Sequence, residues 1–166
     1  MAIFLESIEE EQGNITEEAR SRTILGPVDY LMVRFPGNKF SGKIVPELAN
    51  LERSGIIRVI DLVFVFKDPE GSILITEAKD LRGDIGRAYA EFAKNTEEWF
   101  SEGDIKAIAT SLPNNSSAGL LLYENVWAVK FKQALLDADA ELIDMGRIPP
   151  ESVSNAQAQL AMIGGT

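Results

Sequence analysis

The most apolar stretch of the chain runs over residues 56–67, with the sequence IIRVIDLVFVFK. Its apolar residues do not alternate with polar ones, so a strand formed here would be apolar on both sides. Such a strand needs cover on both faces, which is typical of the middle of a sheet. The sequence DPEG at 68–71 favours a turn, after which residues 72–77 return as a second strand. Residues 56–77 are therefore predicted to form a β-hairpin.

The remaining elements follow from the spacing of apolar residues and from helix caps. Residues rich in β-formers predict further strands, and apolar residues three or four positions apart predict helices. Ser101 is placed to cap one of these helices, with Asp104 three residues later. The predicted strands are 28–35, 118–123 and 141–145, and the predicted helices are 44–54, 84–100, 102–112, 126–138 and 151–162.

This order of elements predicts an α+β domain with the ferredoxin-like sandwich as its fold. Two β-α-β units would build it, one ending in the strand 56–67 and the other ending in the strand 141–145. The strand 72–77 and the helices over 84–112 would be an insertion, which gives about five strands in all. A three-layer α/β sheet is the alternative. The predicted divisions are an acidic N-terminal arm over 1–25, the α+β domain over 26–148 and a C-terminal helical tail over 149–166.

The composition removes several kinds of chemistry, because the chain contains no histidine and no cysteine. Histidine is the usual general base near neutral pH and the commonest metal ligand, and cysteine is a strong nucleophile and a soft ligand. Only carboxylate, lysine, arginine and backbone groups remain. We therefore predict no metal site and no cofactor, and the absence of a catalytic motif argues against an enzyme.

The net charge of −10 limits the classes of molecule that the protein is expected to bind. An acidic domain repels phosphate backbones, so nucleic acid is not expected to bind. Residues 1–22 carry six glutamates and two arginines, a net charge of −4, which would suit either a basic protein partner or a solvated leader. The longest apolar run, 59–66, is interrupted by Asp61 and is too short to span a bilayer. With no signal peptide recognisable at the start, a cytoplasmic protein is expected.

Asp61 is the strongest candidate for a functional residue, because it is an acidic residue within the apolar strand 56–67. A buried carboxylate must be paired or hydrogen-bonded, so Asp61 is a site residue, the partner of Arg34 or Arg58, or a residue that faces a subunit interface. A ferredoxin-like sheet would bring Asp29 and Glu124 to one edge.

Three residues follow the strand 118–123 and complete the list of candidates. Asn125 is placed to cap the helix that begins at residue 126, and Glu124 would favour the positive end of that helix. Trp127 and Phe131 are expected to pack this helix against the sheet. The alternative is a ligand-binding rim with Glu124 and Trp127 exposed to a cleft.

Two segments resemble an uncharacterised family of small bacterial and archaeal proteins, known only as a domain of unknown function. They are GPVDYL at 26–31 running on to FPGN at 35–38, and YENVWA at 123–128, with the strand 58–66 between them. The resemblance covers roughly residues 26–150. It implies a shared fold, but no activity and no catalytic residue.

The sequence therefore favours a non-enzymatic module that associates with itself and serves in scaffolding, regulation or binding. An apolar strand with two faces and an open sheet both need covering, which a second copy would supply. The alternative is a small-molecule-binding protein or a metal-independent enzyme that uses carboxylates and arginine.

Overall fold

The computed structural model describes residues 26–39, 43–93 and 96–164, and the predicted acidic arm over 1–25 lies outside them. Within these residues the chain forms a four-stranded antiparallel sheet and five α-helices. The mixed α+β class is confirmed. The strands are β1 (Val28–Pro36), β2 (Arg58–Lys67), β3 (Ile73–Glu77) and β4 (Ser116–Glu124). The helices are α1 (Ile44–Arg53), α2 (Gly83–Ala93), α3 (Glu102–Ser111), α4 (Trp127–Asp137) and α5 (Pro150–Ile163).

Strand β2 lies inside the sheet, as its apolar sequence predicts. The strand order is β1-β4-β2-β3, and every residue from Val59 to Val65 is buried. The predicted hairpin is confirmed, because β2 and β3 pair antiparallel. A β-bulge at Ile60 interrupts the pairing of β2 with β4 between Val59 and Asp61. The bulge lets Ile60 accept a hydrogen bond from the Glu97 amide at 2.7 Å.

Helices pack against both faces of the sheet. Alternate residues of β2 point to opposite sides, so Leu62 and Phe64 contact one group of helices and Val63 and Val65 another. Helices α1 and α2 cover the first face, where the rings of Phe64 and Tyr89 meet edge to face with centroids 5.0 Å apart. Helix α3 covers the second face. The residues that α3 contributes there are Ile105, Ala109 and Leu112.

This layering bears on the predicted fold. The ferredoxin-like sandwich is not confirmed, and helices pack on both faces of the central strand. Strand β3 and helices α2 and α3 lie between β2 and β4 in the chain, and β3 and β4 pair with opposite sides of β2.

The prediction of a strand over 141–145 is wrong. Residues 140–149 form neither helix nor strand. In the predicted β-α-β unit this strand would have lain in the same sheet as β4, but in the described residues that sheet consists of β1, β2, β3 and β4. The described residues therefore contain four strands where about five were predicted.

The predicted helix over 84–100 ends early, at Ala93. Residues 96–100 are irregular, and their amides bond to the sheet instead of to a preceding helical turn. The next helix begins as predicted, because the Ser101 hydroxyl accepts a hydrogen bond from the Asp104 amide. Its C-terminus is held by Lys67, whose ammonium donates to the carbonyl of Leu112 at 2.9 Å.

The chain divides into two compact units, and the boundary between Phe131 and Lys132 falls within α4. The first unit contains the sheet with α1, α2 and α3. The second contains the end of α4, the irregular residues 140–149 and α5. Within the part of the chain that the structure describes, no helix combines the length and apolarity needed to cross a membrane.

Candidate functional site

The first group of candidate residues lies at the edge of the sheet where β1 begins and β4 ends. The register pairs Val28 with Glu124 on one side and Arg58 with Glu124 on the other. The Glu124 side chain is buried, and Oε2 accepts a hydrogen bond from Arg58 Nε at 2.8 Å. Oε1 accepts from the amide of Gly26 at 2.7 Å. Both oxygens of Glu124 therefore hold neighbouring segments in place.

Asn125 ties the start of β1 to the end of β4. Its Nδ2 donates to Asp29 Oδ2 at 2.6 Å and to the Pro27 carbonyl at 3.2 Å, and its own amide donates to the same carbonyl at 2.8 Å. Its Oδ1 accepts from the indole Nε1 of Trp127 at 3.2 Å. The side-chain oxygen that was predicted to cap the helix is thus bonded to the indole, and the Asn125 side chain acts as a latch between strands.

The prediction that Trp127 and Phe131 pack against the sheet is wrong. Trp127 is 53% exposed and Phe131 is 61% exposed, whereas Ala128 is buried. The first turn of α4 is fixed by the Trp127 amide, which donates to the carbonyl of Ile56 at 3.2 Å, and by the indole bond to Asn125. These two bonds turn Ala128 toward the sheet. Trp127 and Phe131 lie on a different side of the helix from Ala128 and therefore face outward.

Asp61 lies on the α3 side of the sheet and is fully buried. Its Oδ2 accepts hydrogen bonds from the amides of Trp99 at 2.7 Å and Phe100 at 2.9 Å. The prediction of an arginine partner is wrong. Arg58 pairs with Glu124, and Arg34 is an exposed residue of β1 opposite Ala118. The irregular segment before α3 supplies the compensation that a buried carboxylate requires.

Glu77 is a second acidic group beside Asp61, and the sequence interpretation did not pair the two. Glu77 ends β3 opposite Val63, which places it on the same face as Asp61. Burial raises the pKa of the Glu77 carboxyl to about 7, and the charge of Asp61 is the next cause. Glu98 raises the pKa further and Lys79 lowers it. The predicted hairpin contained the signal, since its register alone brings Glu77 near Asp61.

A proton on Glu77 would allow the Asp61 and Glu77 carboxyl groups to form a hydrogen bond with each other. Among the described residues, Asp61 Oδ1 accepts no hydrogen bond from an N–H group or a hydroxyl. Glu77 lies on the same face as Asp61, and a protonated Glu77 carboxyl would supply the missing donor. With its pKa raised to about 7, Glu77 can hold or release one proton near neutral pH.

The two groups of residues differ in what they can do chemically. At the β1–β4 edge Asp29, Glu124 and Asn125 are engaged with other parts of the chain, which favours a structural latch over a ligand site. The Asp61–Glu77 pair contains only two carboxyls. In the residues that the structure describes, no three acidic groups are placed to hold a metal ion.

Comparison with known proteins identifies a family for the chain but no activity. No curated protein and no solved structure matches the chain. Residues 24–162 match the model of a family of unknown function, DUF6325, and this range includes all four strands and the two groups of acidic residues described above. The chain therefore belongs to the family of unknown function DUF6325.

Proposed function

We propose that this protein is a non-enzymatic module that associates with copies of itself and serves as a scaffold. The observation that carries the proposal is helix α5, which has no buried residue along its fourteen positions. Its apolar side chains are well exposed, with Leu160 at 69% and Ile163 at 75%. Exposed apolar groups that lie together mark interaction surfaces, because burying them is favourable.

The apolar residues of α5 have the spacing of a helix-pairing stripe. Val153, Ala156, Leu160 and Ile163 follow one another at intervals of three, four and three residues. This is the spacing of the contact positions in two helices that pack side by side. Met162 is also apolar and 80% exposed, but it lies on the opposite side of the helix.

The charge of α5 suits a second copy of the chain as the partner. The chain carries a net charge of −10, but Glu151 is the sole charged residue between Pro150 and Ile163. Two copies of this helix would approach without the like-charge repulsion that the rest of the chain imposes. A strongly basic partner would gain little from a helix with one charge.

The mass of the full chain in solution tests the proposal. Light scattering at micromolar concentration is expected to give a multiple of the chain mass of 18.2 kDa. Replacing Leu160 and Ile163 together by glutamine removes the stripe and is expected to lower the mass. Met162→Gln is the matched control, because it removes an equally exposed apolar side chain outside the stripe. A chain that stays at 18.2 kDa at every concentration would contradict the proposal.

A further inference from the structure

We propose that strand β3 is a contact edge, at which a second copy of the chain adds its own β3 antiparallel so that the two sheets continue into one another. This proposal rests on the proposed self-association and adds a second contact surface to the one that α5 provides. Strand β3 is at the end of the strand order and pairs with β2 on its inner side. Among the residues that the structure describes, no strand lies on its outer side.

Strand β3 exposes three large apolar side chains in a row. Ile73 is 45% exposed, Leu74 is 61% exposed and Ile75 is 41% exposed. Leu74 lies opposite Phe66 and Ile75 lies opposite Val65, so the three side chains are divided between the two faces of the sheet. Consecutive exposed apolar residues are unfavourable in water unless a partner covers them. A strand alongside would cover both faces at once, which a ligand on one face would not do.

The edge formed by β3 lacks the features that keep edge strands apart in most soluble proteins. Those features are lysines, prolines, bulges and very short strands. Between Ile73 and Glu77 the sequence is ILITE, without lysine or proline, and the register with β2 is unbroken. Its five residues are an ordinary length for a strand. The outer backbone groups of β3 are therefore open to a partner strand.

Both ends of β3 are fixed, so a partner would meet a strand that is already in position. Before the strand, Asp68 Oδ1 accepts a hydrogen bond from the Ser72 amide at 2.7 Å. The same turn is held by Asn114, whose Nδ2 donates to the Pro69 carbonyl at 3.1 Å. Directly after the strand, Ala78 is buried. Pairing with β3 would therefore require little ordering of its backbone, which favours association.

The direction of the backbone groups selects the register of the contact. The Ser72 carbonyl accepts a hydrogen bond from the Asp68 amide at 3.0 Å and therefore points toward β2. Because this direction alternates along a strand, the backbone groups of Ile73, Ile75 and Glu77 point outward. A two-fold axis at Ile75 pairs Ile73 with Glu77 and Ile75 with its own copy. All three outward residues then form hydrogen bonds across the contact.

Other positions of the axis use fewer of the outward groups. An axis at Leu74 would place Glu77 opposite Gly71, which lies in the turn before the strand and has a φ of +94°. An axis at Thr76 would leave Ile73 beyond the end of the partner strand. The axis at Ile75 is therefore the register that the strand favours.

The charge of β3 allows it to pair with a copy of itself. Glu77 is the sole charged residue of the strand. In the register centred on Ile75, the two copies of Glu77 lie at opposite ends of the contact, about 13 Å apart along the strands. That separation exceeds the distance of about 8–10 Å over which exposed charges interact at ordinary ionic strength. A chain with a net charge of −10 can therefore meet its copy here without like charges facing each other.

Because the chain has no cysteine, introduced cysteines report on this register. Leu74 would lie opposite Thr76 of the second copy, with Cα atoms about 4.5 Å apart as in a non-hydrogen-bonded antiparallel pair. That distance lies within the range that a disulfide bridges. A mixture of Leu74→Cys and Thr76→Cys is therefore expected to form disulfide-linked dimers under mild oxidation.

Two controls accompany this mixture on a non-reducing gel. Each cysteine variant alone is expected to stay a monomer, because two copies of the same residue would lie diagonally, about 8 Å apart, which is too far for a disulfide. In the second control Leu51→Cys, on α1, replaces Leu74→Cys in the mixture. Leu51 is 39% exposed, and this mixture is expected to form no dimer.

A further variant removes an outward donor and leaves the hydrogen bonds between β3 and β2 in place. The N–H of Ile75 points outward, so Ile75→Pro deletes a donor on the contact side only. Added to both cysteine variants, it is expected to reduce the disulfide-linked fraction at least tenfold, with an unchanged far-ultraviolet circular dichroism spectrum showing that the domain is folded. If Ile75→Pro unfolds the domain, Ile75→Lys takes its place, since two lysines would meet at the axis. An unchanged linked fraction in a folded variant would mean that the disulfides form by random collision, which contradicts the proposal.

The outcomes separate this inference from the proposed function. An oligomer by light scattering whose mixture of Leu74→Cys and Thr76→Cys forms no disulfide would overturn the β3 contact and leave self-association standing. Disulfide-linked dimers of Leu74→Cys alone would show an axis at Leu74 and overturn the proposed register. A mass of 18.2 kDa throughout would overturn both the contact and the proposed function.

Discussion

Asp61 and Glu77 lie on the same face of neighbouring strands, and the charge of Asp61 helps to raise the pKa of Glu77. Asp61 is completely buried, and its Oδ2 is already bound to two backbone amides. Its Oδ1 is therefore the atom that a proton on Glu77 would satisfy. The protonation of Glu77, at the end of the β2–β3 hairpin, is therefore linked through Asp61 to the segment that leads into α3.

The first prediction concerns the pH dependence of stability. Burial and the charge of Asp61 raise the pKa of Glu77 from 4.5 to about 7 in the folded protein. Between these values the folded protein holds a proton that the unfolded chain has lost. The contribution of Glu77 to stability is therefore fully present below pH 4.5 and is lost as the pH rises to about 7. The slope is at most about 1.4 kcal/mol per pH unit, less because Glu77 is only partly buried.

Urea unfolding at a series of pH values measures this contribution against a variant. Glu77→Gln keeps a donor for Asp61 but cannot titrate, so its stability is expected to vary less with pH than that of the wild type. Glu70→Gln, in the exposed turn of the same hairpin, is the control and is expected to follow the wild type. Identical pH profiles for the wild type and Glu77→Gln would show that Glu77 does not hold a proton near neutrality.

The second prediction separates the hydrogen bonds of Asp61 from its charge. Asp61→Ala leaves the amides of Trp99 and Phe100 buried without an acceptor, which should lower the free energy of unfolding by about 3 kcal/mol. Asp61→Asn keeps an acceptor oxygen and should cost much less. The same substitution removes the charge that helps to raise the pKa of Glu77, so that pKa is expected to fall in Asp61→Asn. Equal losses for the two variants, measured by denaturant unfolding, would contradict this account.

The sequence predicted best those features that depend on a local pattern. The apolar run 56–67 identified the buried central strand, the turn residues identified the hairpin, and Ser101 identified the start of α3. Each of these follows from residues that are close together in the chain. The helix over 84–100 failed for the opposite reason, because Asp61, some forty residues earlier, captures the amides that a helix would have used.

The candidate site could be predicted in part. Asp61 was recognisable as a buried carboxylate from its position in an apolar strand. The groups that donate to its Oδ2 are backbone amides, and because almost every residue has such an amide, the sequence does not show which ones bind. The orientation of Trp127 was equally hidden. It depends on where the first turn of α4 is anchored, and the anchor is the carbonyl of Ile56 on a different segment.

The third prediction concerns the buried ion pair at the end of β4. Arg58→Ala leaves the Glu124 carboxylate buried without its cation, and removing one partner of such a pair typically costs about 3–5 kcal/mol. Arg58 keeps part of its surface in water, so the lower end of that range is expected. Arg53→Ala, at the exposed pair with Glu91, is the control and should change the free energy of unfolding by less than about 1 kcal/mol. Similar losses for the two variants would show that burial does not distinguish these pairs.

The fourth prediction concerns Asn125 as a latch. Asn125→Ala removes the bond to the Asp29 carboxylate as well as the bond to the Pro27 carbonyl. A hydrogen bond to a charged group contributes about 1.5–3 kcal/mol, so the loss should exceed the roughly 1 kcal/mol of a simple helix cap. Asn125→Asp keeps the size of the side chain but places a carboxylate against Asp29, and it should destabilise at least as much. A loss no larger than that of a cap would favour the original capping interpretation.

The last prediction concerns Trp127, whose exposure reverses the expectation from the sequence. A core tryptophan costs about 3–5 kcal/mol when truncated, but Trp127 is 53% exposed and its ring is held mainly by the bond to Asn125. Trp127→Ala should therefore cost about 1–2 kcal/mol, the value of one hydrogen bond and partial apolar contact. Phe92→Ala, on the buried side of α2, is the control and should cost at least about 3 kcal/mol. Acrylamide should quench Trp127 fluorescence efficiently in a Trp99→Phe background, which isolates its signal because the chain has two tryptophans. A poorly quenched Trp127 whose removal costs as much as that of Phe92 would mean that α4 packs its aromatic side against another surface, and in a self-associating chain that surface would belong to a second copy.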